Sequence, residues 1–269
     1  MKRRAVDPVA EAAAAAALLP HLPKTEILAR YRAAKGNEIA SGKLASERSS
    51  AALAANTFGL FINRPADLPA LPNWEGSWQP ATSVLPEVEL RFPWRGGLHP
   101  WLDAVIATGT HLIGVESKRY EPFDRRVADG KPPFSDAYWR DVWGNAMGPF
   151  EWLRDGLAKK PLLFAHLDAV QLVKHAFGLR TQAKARGKAP VLAYVYAEPK
   201  AWPLPAGRAI SSEARAQHAE EVRWFARMAA GAEVLFVSFT YSELLAAFSG
   251  SLVADVREHS ALVRGAFDC

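Results

Sequence analysis

The stretch His99-Pro100-Trp101-Leu102-Asp103-Ala104-Val105-Ile106-Ala107-Thr108-Gly109-Thr110-His111-Leu112-Ile113-Gly114-Val115-Glu116-Ser117-Lys118 decides the fold. Two β-rich runs, Trp101 to Thr108 and Leu112 to Tyr120, flank the turn-like Gly109-Thr110-His111, and so short a link predicts an antiparallel hairpin. Along a strand, side chains at i and i+2 share a face, so Glu116 and Lys118 point together and Ser117 points into the opposite layer. The hairpin brings Asp103 beside them. Two carboxylates and an ammonium then sit among Val105, Ile106, Leu112, Ile113 and Val115, where desolvating each charge costs several kcal/mol unless it is paired or metal-bound.

Upstream, Val88 to Phe92 alternates apolar and charged residues and predicts a strand with one buried face, broken by Gly96-Gly97. Before it, Pro65 to Pro86 holds five prolines and reads as an irregular connection, and Leu44 to Ile62 reads as a helix capped by Ser46 or Ser49. Downstream, aromatic residues between Ser135 and Lys160 suit one or two helices broken near Gly148-Pro149, and Phe164 to Leu179 suits a helix closed by Gly178. A strand over Pro190 to Tyr196, an amphipathic helix over Ser212 to Ala230, a strand over Val234 to Phe239 and a helix over Ser242 to Phe248 complete the order. Three strands in meander followed by strands joined through helices predict an α/β fold, a central mixed sheet flanked by helices.

Composition agrees with one folding unit. In 269 residues the hydrophobic fraction is 49% and the charged fraction 23%, which excludes disordered, collagen-like and mini-protein classes. A net charge of +5 permits a polyanionic partner without demanding one. The single cysteine, Cys269, allows neither an intrachain disulfide nor a cysteine zinc site and fits a reducing compartment. The start Met1-Lys2-Arg3-Arg4 with Ala12 to Leu19 imitates a signal peptide, but Asp7, Pro8 and Glu11 interrupt it, so a cytoplasmic location with a loosely held Ala-rich helical lead-in is expected. No run of 18 apolar residues occurs, so no membrane partner is expected.

A hard divalent cation gives the Asp103, Glu116 and Lys118 group a reason. Mg²⁺, or Mn²⁺ in its place, is held by one or two carboxylates with waters and phosphate oxygens, which Asp103 and Glu116 can offer together with the Ser117 carbonyl. Lys118 would orient or help deprotonate an attacking water. The alternative is a cross-strand ion-pair cluster that needs no metal.

These residues resemble the PD-(D/E)XK, or restriction-endonuclease-like, nuclease superfamily. Val115-Glu116-Ser117-Lys118 looks like its E-x-K on the third strand and Asp103 like its metal-binding aspartate on the second, while Pro100 stands three residues before Asp103 and not next to it. The resemblance covers about Leu44 to Tyr241 and implies an αβββαβ core, with residues 1–43 as a helical or irregular extension and 44–269 as a single nuclease-like domain. It further implies that Glu47 on the upstream helix, or its competitor Glu38, adds a carboxylate, and that Gln171 joins the catalytic set.

Phosphate contacts have several candidates. Arg119 follows the triad directly, and Lys174, His175, Arg180 and Lys184 lie in the most basic part of the chain, with no acid between Asp168 and Glu198. That run suits a phosphate track beside the site, although basic loops of this length are more often plain solvated surface. Trp139, Trp143 and Trp152 would stack on unpaired bases or fill the core, and their helical spacing favours the core. No P-loop, dinucleotide turn or Gly-x-Ser-x-Gly elbow is present. The sequence therefore predicts a Mg²⁺-dependent nuclease acting on DNA, with RNA also admissible as substrate and a homodimer where both strands are cut. The competing expectation is a non-cleaving nucleic-acid-binding module.

Overall fold

A computed structural model describes residues 7–34, 37–94, 99–127, 130–160, 163–203 and 206–269. The Met1 start and the Gly96-Gly97 break fall outside the described residues. Five strands, β1 (Ser83–Glu89), β2 (Trp101–Ala107), β3 (His111–Lys118), β4 (Ala189–Tyr196) and β5 (Leu235–Thr240), form one sheet in that order. The pairs β1·β2 and β2·β3 are antiparallel, whereas β3·β4 and β4·β5 are parallel. The α/β class and the mixed sheet flanked by helices are as the sequence predicted.

Helices fill both faces. Ala104, Ile106, Val115, Ala193 and Val195 pack with α1 (Pro8–Ala16), α2 (Lys24–Ala33), α3 (Ser50–Phe58), α7 (Tyr241–Ser249) and α8 (Ala254–Phe267). Val105, Ala107, Leu112, Leu192 and Tyr194 meet α4 (Gly148–Lys159), α5 (Ala169–Ala185) and α6 (Ser212–Ala229). Local signals set the helix starts: the Ser49 hydroxyl accepts from Ala52 N at 3.0 Å, the Asp168 carboxylate from Gln171 N at 2.9 Å, and Thr240 with Glu243 closes a capping box.

Several boundaries differ from the reading above. The first strand is Ser83–Glu89 and not Val88 to Phe92, because pairing with β2 begins at Ser83 opposite Ala107. Pro86 is tolerated there because β1 is an edge strand with no neighbour on its far side. Helix α5 does not close at Gly178 but continues to Ala185. Gly178 is a packing glycine, for a Cβ there would stand 2.8 Å from Leu90 Cβ and Pro100 Cγ. The Ala-rich lead-in is tied down: Asn56 Oδ1 accepts from Leu19 N at 2.7 Å, Lys24 Nζ donates to Ala15 O at 2.8 Å, and Leu18 is buried. Of the three tryptophans, Trp143 is core while Trp139 and Trp152 are 46% and 55% exposed. Among the described residues no helix is long and apolar enough to cross a membrane.

Candidate active site

The ladder between β2 and β3 ends at the pair Ala104 and Val115. One more step in that register sets Asp103 across from Glu116, and the β1·β2 register, which skips Glu87, sets Glu87 across from Asp103. Three carboxylates thus stand abreast on three neighbouring strands where the ladder opens. The splay leaves the Ser117 amide without a β2 carbonyl, and it donates to Asp103 Oδ2 at 2.7 Å. Glu87 has φ of 50°, a left-handed backbone uncommon for a side chain of this size, so its departure from pairing carries strain.

Beside this row a cavity of about 400 Å³ opens, bordered by Ser50 and Ala51 in the first turn of α3 and by Gln171 in the first turn of α5. Helix N-termini favour anions through their free amides and dipoles. The alternation expected of β3 holds. Ser117 Oγ meets Tyr241 Oη of α7 at 2.7 Å on one side, while Lys118 Nζ, on the other, donates to Glu116 Oε1 at 2.5 Å and to Gln171 Oε1 at 2.9 Å. His175 Nδ1 lies 3.2 Å from the second Glu116 oxygen, Oε2.

The electrostatics divide these acids. Burial pushes the Glu116 carboxyl up, but the Lys118 ammonium and the adjoining His175 outweigh it and hold Glu116 down at about 2. Burial likewise opposes the Lys118 charge, and Glu116, Glu121 and Asp103 reverse that and hold its pKa above the ordinary lysine value. Asp103 is pushed well above the usual carboxylate range, by burial first and then by the Glu116 charge, with Lys118 and the Ser117 amide pulling back. Glu87 is raised to about 7 by burial and by Glu38 and Glu116, against Arg30. Lys118 and Arg30 pull against this group of acids, yet Asp103 and Glu87 both stay raised.

Other expected residues sit elsewhere. Glu38 lines the cavity, whereas the Glu47 side chain is exposed and borders two neighbouring cavities. Arg119 is buried, donating through Nη1 to Glu47 O at 2.5 Å and through Nη2 to Phe267 O at 3.0 Å. The Lys174 amine lies 5.7 Å from the Phe134 ring centroid. Arg180 pairs with Glu233 at 3.0 Å, and Lys184 is exposed, thirteen positions beyond Gln171 on α5 and so roughly 20 Å along its axis. His175, expected on a nucleic-acid surface, is inside, at 2% exposure.

Cations that do border the cavity are Lys43 and Arg48, the latter with its guanidinium 4.5 Å over the Trp202 ring. A second cavity of about 300 Å³ shares Lys118 and Glu121 with the first and adds Arg125 and Arg126. Two acids escaped the sequence reading. Glu87 was hidden by the misplaced first strand. Glu121, three residues past Lys118, reads as loop, yet it accepts from the amides of Arg119 and Tyr120, both at 3.0 Å, and from Ser50 Oγ at 2.6 Å.

Among the described residues no group of three or more His, Cys, Asp and Glu side chains converges closely enough to hold a metal ion. The donor chemistry still fits a hard cation: the oxygens are carboxylate, they come from adjacent strands, and the Asp103 carboxyl stays raised although Lys118 and the Ser117 amide pull it back. Comparison of the chain with protein-family models, with curated proteins and with solved structures finds no match.

Proposed function

We propose that the chain is a Mg²⁺-dependent nuclease of the PD-(D/E)XK type that hydrolyses DNA phosphodiester bonds. The observation that carries this reading is the opened end of the β2·β3 ladder, where Asp103 and Glu116 adjoin and Gln171 holds Lys118 at the edge of a cavity. The meander of three strands followed by a helical crossover into a parallel fourth strand supports it, as do Lys43, Arg48 and the two helix N-termini around the cavity.

Asp103 and Glu116 would hold the cation, with the Ser117 carbonyl as a third oxygen. When bound, Mg²⁺ neutralises charge on the phosphate and lowers the pKa of a water. Lys118, held above the ordinary lysine value by Glu116, would orient the attacking water and offset charge on the phosphate. Gln171, accepting from Nζ, fixes the direction of that ammonium. Arg48, paired with Asp124, and Arg125, next to that aspartate, border the two cavities that share Lys118 and would meet phosphates flanking the scissile one.

The test is incubation with supercoiled plasmid, single-stranded DNA and an RNA oligonucleotide in Mg²⁺, Mn²⁺ or EDTA. Metal-dependent cleavage that falls by on the order of a thousandfold in Lys118→Ala is the expected result. A retarded DNA band with uncut ends in every metal would replace the nuclease by a non-cutting binding module. Paired cuts in both strands would point to a second copy of the chain, since one such site cuts one strand per engagement.

A further inference from the structure

Helix α5 presents Gln171 and His175 one turn apart, so both project from the same face. Gln171 reaches Lys118 and His175 reaches Glu116, so one helix face handles both members of the strand's E-x-K. Two glycines let the helix lie this close to the sheet. A Cβ on Gly178, three residues beyond His175, would stand 2.8 Å from Leu90 and Pro100. A Cβ on Gly114, two residues before Glu116, would stand 2.3 Å from Leu102 Cδ1 and 3.3 Å from both Leu179 methyls.

The His175 ring is 2% exposed, and Glu116 Oε2 lies 3.2 Å from its Nδ1, off the line of a good hydrogen bond. The other oxygen of the same carboxylate, Oε1, takes Lys118. A bare Nδ1 would set a ring lone pair against a carboxylate lone pair in a buried place, so Nδ1 carries the proton there. A carboxylate held only at Oε1 is free to swing about its terminal torsion, which is broad and soft. Held at both oxygens, Glu116 has one orientation.

We propose that His175 is a positioning residue, whose Nδ1–H grips Glu116 Oε2 from behind and so turns Oε1 toward the cavity for a divalent cation. This rests on the reading of Glu116 as a cation ligand, and the role is that of an outer partner that orients a ligating side chain without touching substrate.

Two measurements test it. In metal-free protein, nitrogen NMR of the imidazoles should find His175 protonated at Nδ1, and a ring carrying its only proton on Nε2 overturns the proposal. Titration with Mn²⁺, followed by electron spin resonance without substrate, should give a half-saturation at least about tenfold higher in His175→Phe and within about threefold of wild type in His175→Asn, whose amide reoccupies the Nδ1 place. A Phe variant with unchanged Mn²⁺ binding, or an Asn variant no better than Phe, overturns the role. Should the Phe variant not melt cooperatively, His175→Leu takes its place in the same titration. Wild-type protein that binds Mn²⁺ without cutting DNA defeats the nuclease reading alone, because the titration needs no substrate; wild-type protein that binds no Mn²⁺ defeats both.

Discussion

Two buried carboxylate sites in this molecule are built in opposite ways. Glu221 on α6, 8% exposed, receives the backbone amides of Ala165, His166 and Leu167 at 2.9, 2.8 and 2.8 Å and the Gln217 amide at 3.2 Å. Its oxygens are filled, and the loop before α5 is organised around them. Asp103 has one amide, from Ser117, and shares a single ammonium with Glu116 and its neighbours. A carboxylate that serves the fold is satisfied by the fold; Asp103, left short of partners at the edge of a cavity, is where the proposed cation would supply one.

The contrast can be broken in order of effect. Glu221→Ala leaves three amides without acceptors, and the expected loss is about 4 kcal/mol, on the order of 10 °C in Tm, the same with Mg²⁺ as with EDTA. A loss that Mg²⁺ restores would mean that Glu221 belongs to the metal site after all. Next, wild-type protein at a hundredfold excess of Mg²⁺ over Kd should gain about 2.7 kcal/mol, while Asp103→Asn should melt no lower than wild type in EDTA and gain nothing from the metal. Equal gains in the two proteins would place the bound cation elsewhere.

The smallest effect concerns Glu87. Its carboxyl is raised to about 7 in the folded chain, so the native state holds this proton more tightly than the unfolded state. The associated stability is fully present below the ordinary value near 4.5, declines as pH rises and is gone above about 7. In EDTA, Glu87→Gln should therefore match wild type at pH 4 and exceed it by roughly 2 kcal/mol at pH 8. Denaturant melts at the two pH values measure this, and an excess that is larger at pH 4 would refute the assignment.

How much of this was legible in the sequence follows from where period and burial agree. The β2·β3 hairpin and its Asp103, Glu116 and Lys118 were readable because apolar alternation and a tight turn coincide there. The first strand was not, because Pro86 and Glu87 look like breakers and only the edge position and the ladder's opening make them tolerable. Helix α8 was missed because its buried stripe includes polar residues. His259 Nε2 pairs with Thr57 O at 3.0 Å and Ser260 Oγ donates to Leu245 O at 2.6 Å, so the stripe shows only when those two are counted as core. The basic run was visible, but nothing in a row of cations says that α5 carries Arg180 and Lys184 away from the cavity while Lys43 and Arg48 line it.

One clasp ties the end of β3 to the end of α8. Arg119, the residue after Lys118, reaches Phe267 O across 148 positions and Glu47 O across 72. Contacts over such spans carry a large loop-closure cost, which the ordering of the intervening chain has to meet. During synthesis the segment carrying Asp103, Glu116 and Lys118 leaves the ribosome well before α8 does. Asp103, Glu116 and Lys118 are all written by residue 118, but the clasp that anchors their strand needs α8 in place, so the shape of the proposed site is a long-range property of the fold.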